Sequence, residues 1–334
     1  MDIAVVILNW NGKALLETYL PSVITHSENA KIYVADNASS DDSLSFLART
    51  YPEVVILKNS KNYGFAGGYN EALKFVEEDI YVLLNNDVEV TKSWLDGIHQ
   101  MFESNSNIAA VQPKIKSLKD PSKFDYAGAA GGYIDALGYP FCRGRIFEHI
   151  EEDQGQYNDD TEIFWASGAC LAIKKNSFRE AGGFDESYFA HQEEIDLCWR
   201  LKNLDYEIWY TGSSEVFHQG GGTLEHSSPR KTYLNFRNSL CNLLKNSKQN
   251  PITLLFIRML LDGIAALRFL FLGKPKHFIA IFEAHLGFYS LSREMLSKRK
   301  RIKKKKQYFT TYSIVWHSFL LKVNKFSEIK FDNN

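Results

Sequence analysis

The sequence predicts an α/β fold with a mostly parallel central sheet, followed by a helical C-terminal region. Short apolar runs alternate with helical patterns through the first 115 residues, which is typical of strands joined by crossover helices. The runs end in polar or glycine-containing stretches, and the carboxyl ends of strands in an open α/β sheet are where ligands bind. Beyond residue 230, apolar residues recur at helical spacing. The sequence therefore predicts a large sheet domain and a helical extension.

Composition and charge fit a globular protein and disfavour some function classes. The chain has 334 residues, of which 45% are hydrophobic and 24% charged, enough for one large domain plus an appendage. A formal net charge of -1 argues against a general nucleic-acid-binding protein. The four cysteines form no C-x-x-C pair, and the N-terminal residues lack the pattern of a signal peptide. We therefore expect reduced thiols and a main domain that faces the cytoplasm.

The first two predicted strands each end in a polar residue. Residues 3–8 form an apolar run that stops at Asn9, a helical pattern covers residues 14–25, and a strand at residues 31–35 stops at Asp36. This order predicts a right-handed parallel crossover, which places both strand ends at one edge of the sheet. Asp36 precedes the residues that can cap the next helix, so its carboxylate can accept the imide N–H of a uracil or thymine ring.

A glycine-rich segment follows the third predicted strand, residues 54–58. Gly64, Gly67 and Asn70 belong to this segment, NYGFAGGYN, and a helix is predicted at residues 71–77. The N–H groups of such a loop and the dipole of the next helix favour an anion such as a diphosphate. The alternative is a turn that leads into a helix, because glycine loops are a weak signal alone.

The stretch YVLLNNDVEV, residues 81–90, is the centre of the predicted site. Its apolar first half predicts a buried strand that stops at Asn85, Asn86 and Asp87. A carboxylate at the end of a central strand is badly placed for packing and well placed to hold a cation, so Asp87 is a candidate metal ligand. The alternative is a polar turn, since asparagine and aspartate are common turn formers.

The next hundred residues predict a loop-rich segment and an acidic helix start. Residues 116–155 are glycine- and aromatic-rich, which indicates a lid or acceptor-side loop, with disorder as the alternative.

Glu193, Glu194 and Asp196 lie in the first turn of a predicted helix, where the dipole favours carboxylates without any function. One of them can instead be the general base that takes a proton from an attacking hydroxyl. An edge strand is predicted at residues 206–210.

Six segments carry a resemblance to a known family. In order they are VVILNWNG, VADNASSDDS, NYGFAGGYN, LLNNDVEV, GGFDESYFAHQEEIDLCWRL and EVFHQGGG. Together they resemble the family 2 glycosyltransferases, and most of all a rhamnosyltransferase-like branch that builds bacterial surface polysaccharides. The resemblance implies the nucleotide-sugar-binding fold called GT-A, a nucleotide-diphosphate sugar donor, Mn²⁺ or Mg²⁺, and inversion at the anomeric carbon.

The resemblance also implies a metal site. The family's Asp-x-Asp motif is here Asn85-Asn86-Asp87, so the last position matches while the first carboxylate is replaced by an amide. The amide oxygen can still contact a metal or a ribose, although one negative charge is lost. His218, in the glycine-rich segment at residues 215–222, is implied as the second protein ligand.

By the same resemblance, the second residue of an acidic pair is the base. Leu197 fixes the register, so Glu194 takes that role and Glu193 is its supporting neighbour. The resemblance and the strand ends together place the following residues against the nucleotide sugar: Asn9, Asp36, Gly64, Gly67, Asn70, Asn85 and Asn86.

The chain is predicted to divide into a catalytic domain, residues 1–230, and an extension, residues 231–334. The donor half of the domain would be residues 1–115 and the acceptor half residues 116–230. In the extension, an apolar stretch contains Arg258, Asp262 and Arg268, each costing about 2.5 to 3.5 kcal/mol inside a bilayer. We therefore expect helices that lie on the membrane surface and do not span it.

A basic run between Lys298 and Lys306 supports that expectation. Beside apolar helices it indicates contact with anionic lipid on the cytoplasmic leaflet, at about 1 kcal/mol per residue. A peripheral position at the inner face of the cell membrane would suit a glycan or lipid-linked glycan acceptor.

Two other functions remain open at this point. A nucleotidyltransferase would share the cation and the base pocket but would not need Glu194. A catalytically idle nucleotide-sugar-binding or membrane scaffold is the other alternative, because of Asn85. A dinucleotide oxidoreductase is disfavoured, since no G-x-G-x-x-G follows the first strand.

Overall fold

A computed structural model describes residues 1–220 and 228–331. The last two residues of the EVFHQGGG segment, Gly221 and Gly222, lie outside the described residues. The first half contains these elements: β1 Ile3–Asn9, α1 Lys13–His26, β2 Ala30–Asp36, α2 Ser43–Thr50, β3 Val55–Lys58, α3 Gly64–Ala72, β4 Ile80–Asn85, β5 Val88–Val90, α4 Asp96–Ser104, β6 Ile108–Ser117, β7 Gly132–Ile134, β8 Pro140–Cys142, β9 Arg145–Ile146 and β10 His149–Ile150.

The second half continues with further strands and ends in three long helices. It contains β11 Thr161–Glu162, β12 Cys170–Lys174, α5 Lys175–Glu180, α6 Glu193–Asn203, β13 Glu207–His218, α7 Pro229–Asn246, α8 Pro251–Phe271 and α9 Pro275–Arg301.

The central sheet has the order β11-β13-β6-β12-β4-β1-β2-β3, with β5 paired to β13. The four strands β4, β1, β2 and β3 are mutually parallel, as predicted from the strand and helix alternation. β12 is inserted antiparallel between β4 and β6, and β13 runs parallel to β6. The sheet is therefore mixed, with a parallel half that carries the predicted strand ends.

Two apolar layers cover the sheet because its buried strands alternate between faces. In β1, Val5 packs with residues of α1, α2 and α4, whereas Val6 packs with residues of α3 and α6 on the opposite face. Both side chains have no exposed surface. The crossover helices thus bury both faces of the parallel half, as expected for such sheets.

The structure corrects the predicted edge strand. β13 runs from Glu207 to His218 and lies between β11 and β6, so it is not at an edge. Its pairing with β6 shifts register between Thr211 and Glu215, where the sequence reads TGSSE. This irregular polar stretch hid the second half of the strand, because a bulge interrupts the two-residue periodicity.

Residues 116–155 are also more regular than predicted. They contain the end of β6 and a small antiparallel sheet with the order β10-β9-β8-β7. Phe124, Phe141 and Ile146 from this segment are fully buried in the main core. Strands of two or three residues joined by glycine turns give almost no periodic signal, so the sequence indicated a loop.

The C-terminal helices pack on the sheet domain and on one another. α7 contacts α6, α8 and α9, and the chain after α9 returns to the main core. There Tyr308 lies 4.3 Å from the Trp199 ring by ring centroids and donates its hydroxyl to the Ala136 carbonyl at 2.6 Å. The tail is therefore part of the domain core.

Two of the three charged residues of α8 face the protein, while the third, Arg268, is exposed. Arg258 and Asp262 are buried and form an ion pair at 2.8 Å, while the opposite side of α8 exposes apolar side chains. Among the described helices, none has the length and apolar character needed to cross a bilayer.

Candidate active site

The polar strand ends meet at one edge of the parallel half. Asn9 of β1 is paired in register with Asp36 of β2, and its side-chain Nδ2 lies 3.4 Å from Asp36 Oδ1. Asn86, just after β4, donates to Asn9 Oδ1 at 3.1 Å. The prediction that these side chains converge is confirmed.

A glycine that sequence reasoning missed makes room for this cluster. A Cβ atom on Gly12 would lie 2.4 Å from both Asn86 Nδ2 and Asn9 Oδ1. Any larger residue would displace both amides. Nothing in the local sequence indicates this role of Gly12, because a close approach of side chains is not visible in a sequence.

Asp87 and His218 form a buried pair beside the strand ends. The antiparallel pairing of β5 with β13 places His218 opposite Val88, next to Asp87. Asp87 Oδ1 lies 3.1 Å from His218 Nε2, and Asn85 Nδ2 lies 3.5 Å from the same nitrogen. The two residues that the resemblance paired as metal ligands are therefore in contact.

Asp125 holds the other nitrogen of the His218 ring. The His218 Nδ1 atom lies 2.9 Å from Asp125 Oδ1, and both side chains are buried. Burial alone would lower the pKa of His218, but its hydrogen bonds to Asp125 and Asp87 outweigh burial and raise that pKa to about 10. Sequence reasoning missed Asp125, because it lies in the segment interpreted as a loop.

The donor set fits a divalent cation. An aspartate oxygen and an imidazole nitrogen are suitable ligands for Mn²⁺, and metal-binding histidines usually donate their other N–H to a carboxylate, as His218 does to Asp125. Among residues 1–220 and 228–331, no three His, Cys, Asp or Glu side chains converge on one point. A hard cation of this kind commonly keeps coordination positions for substrate and water.

The glycine-rich helix start is occupied by the protein itself. α3 begins at Gly64, seven residues before the predicted helix, and the N–H groups of Phe65 and Ala66 donate to the Phe189 carbonyl at 2.9 and 3.5 Å. The Gly64 N–H donates to Asn62 Oδ1 at 2.8 Å. These donors already have partners within the protein, so a diphosphate at this helix start stays a prediction that the hydrogen bonds do not favour.

The glycines of α3 allow close packing. Gly64 has φ +73°, and a Cβ atom there would lie 2.7 Å from the Phe189 carbonyl oxygen. A Cβ on Gly67 would lie 2.9 Å from Tyr63 Cβ. We therefore assign packing roles to Gly64 and Gly67, which the sequence interpretation placed against the donor.

Asn70 joins the two halves of the domain. Its Nδ2 donates to the Phe184 carbonyl at 2.9 Å, and its Oδ1 accepts from the Phe184 N–H at 2.9 Å. Its side chain also contacts Glu186. These bonds engage both ends of the amide, so Asn70 holds the chain before α6. A contact of Asn70 with the donor stays a prediction.

Glu193 and Glu194 open α6 as predicted. Burial raises the pKa of Glu194 to about 7, against the opposing effect of nearby backbone N–H groups and of Lys231. Burial and the neighbouring Glu194 raise the pKa of Glu193 further above its ordinary value. Within the described residues, one Oε2 atom on each side chain is buried without a hydrogen-bond partner. This pair is thus suited to exchange a proton with a bound group near neutral pH.

Asp196 has a different environment from the other two carboxylates of this turn. It is fully buried and bonded to Arg200 Nε at 2.9 Å, Lys245 Nζ at 2.8 Å and Asn246 Nδ2 at 2.8 Å. Burial raises its pKa, but the charges of Arg200 and Lys245 outweigh that effect and lower it overall. Asp196 is therefore a structural anchor for α6, and the general-base alternative is restricted to Glu193 and Glu194.

The chain before α6, residues 185–192, is called the α6 entry loop below. Phe189, His191 and Gln192 have positive φ values of 64°, 66° and 73°. Such conformations cost non-glycine residues about 1 to 3 kcal/mol each and persist only where surrounding contacts enforce them. Three such residues within four positions, directly before Glu193 and Glu194, indicate that the direction of these two side chains depends on this loop.

Comparisons with known proteins agree with the geometry. The model of glycosyl transferase family 2 matches residues 4–182, more than half of the chain. The N-acetylglucosaminyl-diphospho-decaprenol L-rhamnosyltransferase of Mycobacterium tuberculosis is 26% identical over 233 residues, covering 64% of this chain and 75% of the relative. The low-salt glycan biosynthesis hexosyltransferase Agl10 of Haloferax volcanii is 22% identical over 297 residues, covering 86% and 91% of the two chains. Rhamnosyltransferase WbbL of Escherichia coli is 24% identical over 225 residues, covering 64% and 82%.

Solved structures share the fold. GalNAc-T7, solved with UDP, GalNAc and Mn²⁺, superposes with a TM-score of 0.63 at 15% identity. That match covers 96% of this chain, which spans only 56% of GalNAc-T7. The mannosyltransferase PcManGT from Pyrobaculum calidifontis, solved with GDP-Man and Mn²⁺, superposes with a TM-score of 0.53 at 14% identity, covering 90% and 84% of the two chains. The GT-A type of fold that the sequence predicts is confirmed.

Proposed function

Because the chain belongs to glycosyl transferase family 2, we propose that it is an inverting transferase that moves a sugar from a uridine- or deoxythymidine-diphosphate donor to a glycan hydroxyl. Its relatives include enzymes named for rhamnosyl and hexosyl transfer. One observation carries the proposal: buried Glu193 and half-buried Glu194 each have one buried oxygen without a hydrogen-bond partner among the described residues, and they lie on the same domain as the Asp87 and His218 pair. An idle scaffold has no use for such a combination.

In the proposed reaction, Glu194 is the general base. Its carboxylate removes the proton of the acceptor hydroxyl while that oxygen bonds to the anomeric carbon, and the bond from that carbon to the diphosphate breaks. Burial and the charge of the neighbouring Glu194 raise the pKa of Glu193 well above its ordinary value, so Glu193 holds a proton more readily than a free carboxyl does. Attack opposite the leaving group inverts the configuration at the anomeric carbon.

Asp87 and His218 would hold the cation, with Asp125 fixing the ring of His218. A divalent ion bound there supplies positive charge that offsets the charge developing on the leaving diphosphate. Asn9, Asp36, Asn85 and Asn86 would bind the nucleoside and ribose at the strand ends. Asp36 is the residue that would accept a uracil or thymine N–H, since its carboxylate lies at the carboxyl end of β2.

The acceptor is proposed to be lipid-linked. The Mycobacterium tuberculosis relative is named for a diphospho-decaprenol acceptor. Here the outer side of α8 and α9 exposes large apolar side chains, which a monomeric soluble surface rarely groups together. They are Ile252, Phe256, Leu260, Ile264, Leu267, Phe271, Ile279, Phe282, Leu286 and Tyr289. We call this set the apolar face and propose that it lies on the inner leaflet of the cell membrane.

The basic run contributes less to that contact than the sequence suggested. Lys298 is bonded to Asp185 at 2.6 Å, Arg299 donates to the Ser247 carbonyl at 2.8 Å, and Lys304 pairs with Asp205 at 2.9 Å. Much of the run is thus bound to the protein, and the exposed Lys300, Arg301 and Lys303 remain for anionic lipid. The apolar face is the larger part of the proposed membrane contact.

A donor-binding experiment tests the proposed function. Purified protein is mixed with a panel of nucleotide-diphosphate sugars, with and without Mn²⁺, and its thermal unfolding is followed. We expect stabilisation by a uridine or deoxythymidine donor that depends on Mn²⁺, because the ligand binds only the folded state. The best donor is then tested for transfer to alkyl glycosides. Stabilisation without Mn²⁺ would contradict the metal assignment, and a folded protein that no donor stabilises would favour the scaffold alternative.

Substitution of the base gives the second half of the test. Glu194→Gln should retain the donor-dependent thermal shift while transfer falls about a hundredfold or more, the size of a general-base contribution. Glu180→Gln, an acid outside the site, is the matched control and should transfer at the unchanged rate. Full transfer by Glu194→Gln would remove Glu194 from the mechanism.

A further inference from the structure

One face of α7 is a row of polar side chains directed at the α6 entry loop. Asn238, Asn242, Lys245 and Asn246 recur at spacings of three and four residues, which places them on one side of the helix. All four are buried. A row of buried amides is costly unless each one is hydrogen-bonded, so its partners matter.

The Asn238 amide bonds three backbone carbonyls of the loop. Its Nδ2 lies 3.2 Å from the Tyr188 oxygen, 3.0 Å from the Ala190 oxygen and 2.7 Å from the His191 oxygen. Its Oδ1 accepts from Arg237 Nε at 2.8 Å, which fixes the orientation of the amide. Arg237 also donates through Nη2 to the Tyr188 oxygen at 3.0 Å.

Asn242 continues this contact to the last residue before α6. Its Nδ2 donates to the Gln192 carbonyl at 3.3 Å, and its Oδ1 accepts from the Tyr188 hydroxyl at 2.9 Å. Lys245 and Asn246 then bind Asp196 in the first turn of α6. The polar row of α7 thus follows the chain from the entry loop into the helix that begins with Glu193.

These contacts explain how the loop keeps its conformation. Phe189, His191 and Gln192 have positive φ, so the backbone carbonyls of the α6 entry loop are not oriented as in a helix or a strand. The side-chain amides of α7 supply donors to the carbonyls that regular secondary structure would otherwise satisfy. No apolar residue at position 238 or 242 can replace them.

We propose that Asn238 and Asn242 are positioning residues, which orient Glu194 toward the acceptor hydroxyl by holding the α6 entry loop. This inference rests on the proposed function of Glu194 as the base. It gives α7 a part in the reaction, although the sequence interpretation placed that helix in the extension. The two asparagines act through the loop and are not catalytic residues.

The test compares variants of the full-length chain with the best donor from the thermal-shift panel and alkyl glycoside acceptors. For Asn238→Ala we expect kcat to fall about tenfold to a hundredfold, since a misplacement of about 1 Å has effects of this size. The donor KM should stay within about twofold, because Asp36, Asp87 and His218 do not contact α7 through this amide. A loss of folded protein would also lower the measured rate without changing KM, but kcat calculated per folded molecule would then be unchanged.

Two further variants make the result decisive. Asn242→Ala should also lower kcat. If Asn238→Ala does not fold, Asn242→Ala alone tests the positioning role. Asn235→Ala is the matched control, because no hydrogen bond joins Asn235 to the loop among the described residues. It should leave kcat unchanged. Equal losses in all three variants would show general destabilisation of α7 and overturn the proposal.

The outcome also separates this inference from the proposed function. If Glu194→Gln loses transfer while Asn238→Ala and Asn242→Ala keep the full kcat, the base assignment holds and the positioning role is wrong. If Glu194→Gln itself transfers at the full rate, the base assignment fails and the positioning role fails with it.

Discussion

The N–H of Phe65 donates to the carbonyl oxygen of Phe189 at 2.9 Å, so the first turn of α3 is bonded directly to the α6 entry loop. The half of the domain expected to bind the donor and the half that carries the proposed base therefore meet through backbone atoms. This contact depends on Gly64, which precedes Phe65 and has no side chain to separate the two segments.

Substitution of Gly64 by alanine should disrupt that contact. We expect Gly64→Ala to lower the free energy of unfolding by more than the roughly 1–2 kcal/mol that positive φ alone costs, because the new Cβ would lie 2.7 Å from the Phe189 oxygen. The matched control is Gly182→Ala, which has φ +84° and no atom within 4 Å of the added Cβ. Urea unfolding of both variants measures their free energies of unfolding. Equal losses of stability would show that the close contact with Phe189 adds no cost beyond that of the positive φ.

Substitution of Asp125 should weaken metal binding, although Asp125 is not itself a proposed metal ligand. Asp125→Asn removes the negative charge behind the His218 ring, and loss of such a partner lowers metal affinity by about tenfold to a hundredfold. Titration with Mn²⁺, followed by electron paramagnetic resonance of the free ion, measures this affinity. Asp120→Asn, an exposed acid in the same segment, is the control. If both variants bind Mn²⁺ like the unmodified protein, His218 does not need Asp125.

Transfer should depend on pH through the ionisation of Glu194. The pKa of Glu194 is raised to about 7 by burial, and only the ionised form can take a proton. The rate should therefore rise as pH increases through about 7 and level off above it. Rates measured from pH 5 to pH 9 with saturating donor test this, and a rate that is level from pH 5 upward would contradict a base with a raised pKa.

The same carboxyl should make the protein less stable at high pH. The pKa of Glu194 is about 7 in the folded state against an ordinary value of 4.5, so the folded state binds more protons between these values. Stability then falls as pH rises through this window, by about 1.4 kcal/mol for each unit of pKa difference. Glu194→Gln cannot ionise, so it should be more stable than the unmodified protein at pH 8. Their difference should shrink toward pH 4.5, and a constant difference across this range would contradict the raised pKa.

The apolar face should govern membrane binding. Replacing Leu260 and Ile264 with serine should release the protein from vesicles of phosphatidylglycerol and phosphatidylcholine in a flotation assay, because both side chains are more than half exposed. Phe75→Ser, at an exposed apolar residue of the donor half, is the control and should still float. If all variants float equally, the proposal that the apolar face binds the membrane is wrong. Deleting the chain after Lys298 is unsuitable as a test, because Tyr308 and Phe326 belong to the main core.

Local sequence patterns determined much of the fold and part of the site. The parallel strands β1 to β4 follow from continuous apolar runs, and their shared edge follows from the handedness of crossover connections. Asn9, Asp36 and Asp87 could therefore be placed together without coordinates. The roles expected for Glu194 and His218 came from the resemblance, and the structure adds the burial and contacts that support them.

Only the tertiary structure decided which polar residues have partners and which do not. Asp196 and Glu194 are two residues apart in one helical turn, yet the first is bound by Arg200, Lys245 and Asn246 while the second keeps a buried oxygen without a described partner. Two of these three partners, Lys245 and Asn246, lie on α7, about fifty positions away in the chain. Hydrogen bonds depend on distance in space, and a local pattern contains no information about which distant side chains will supply them.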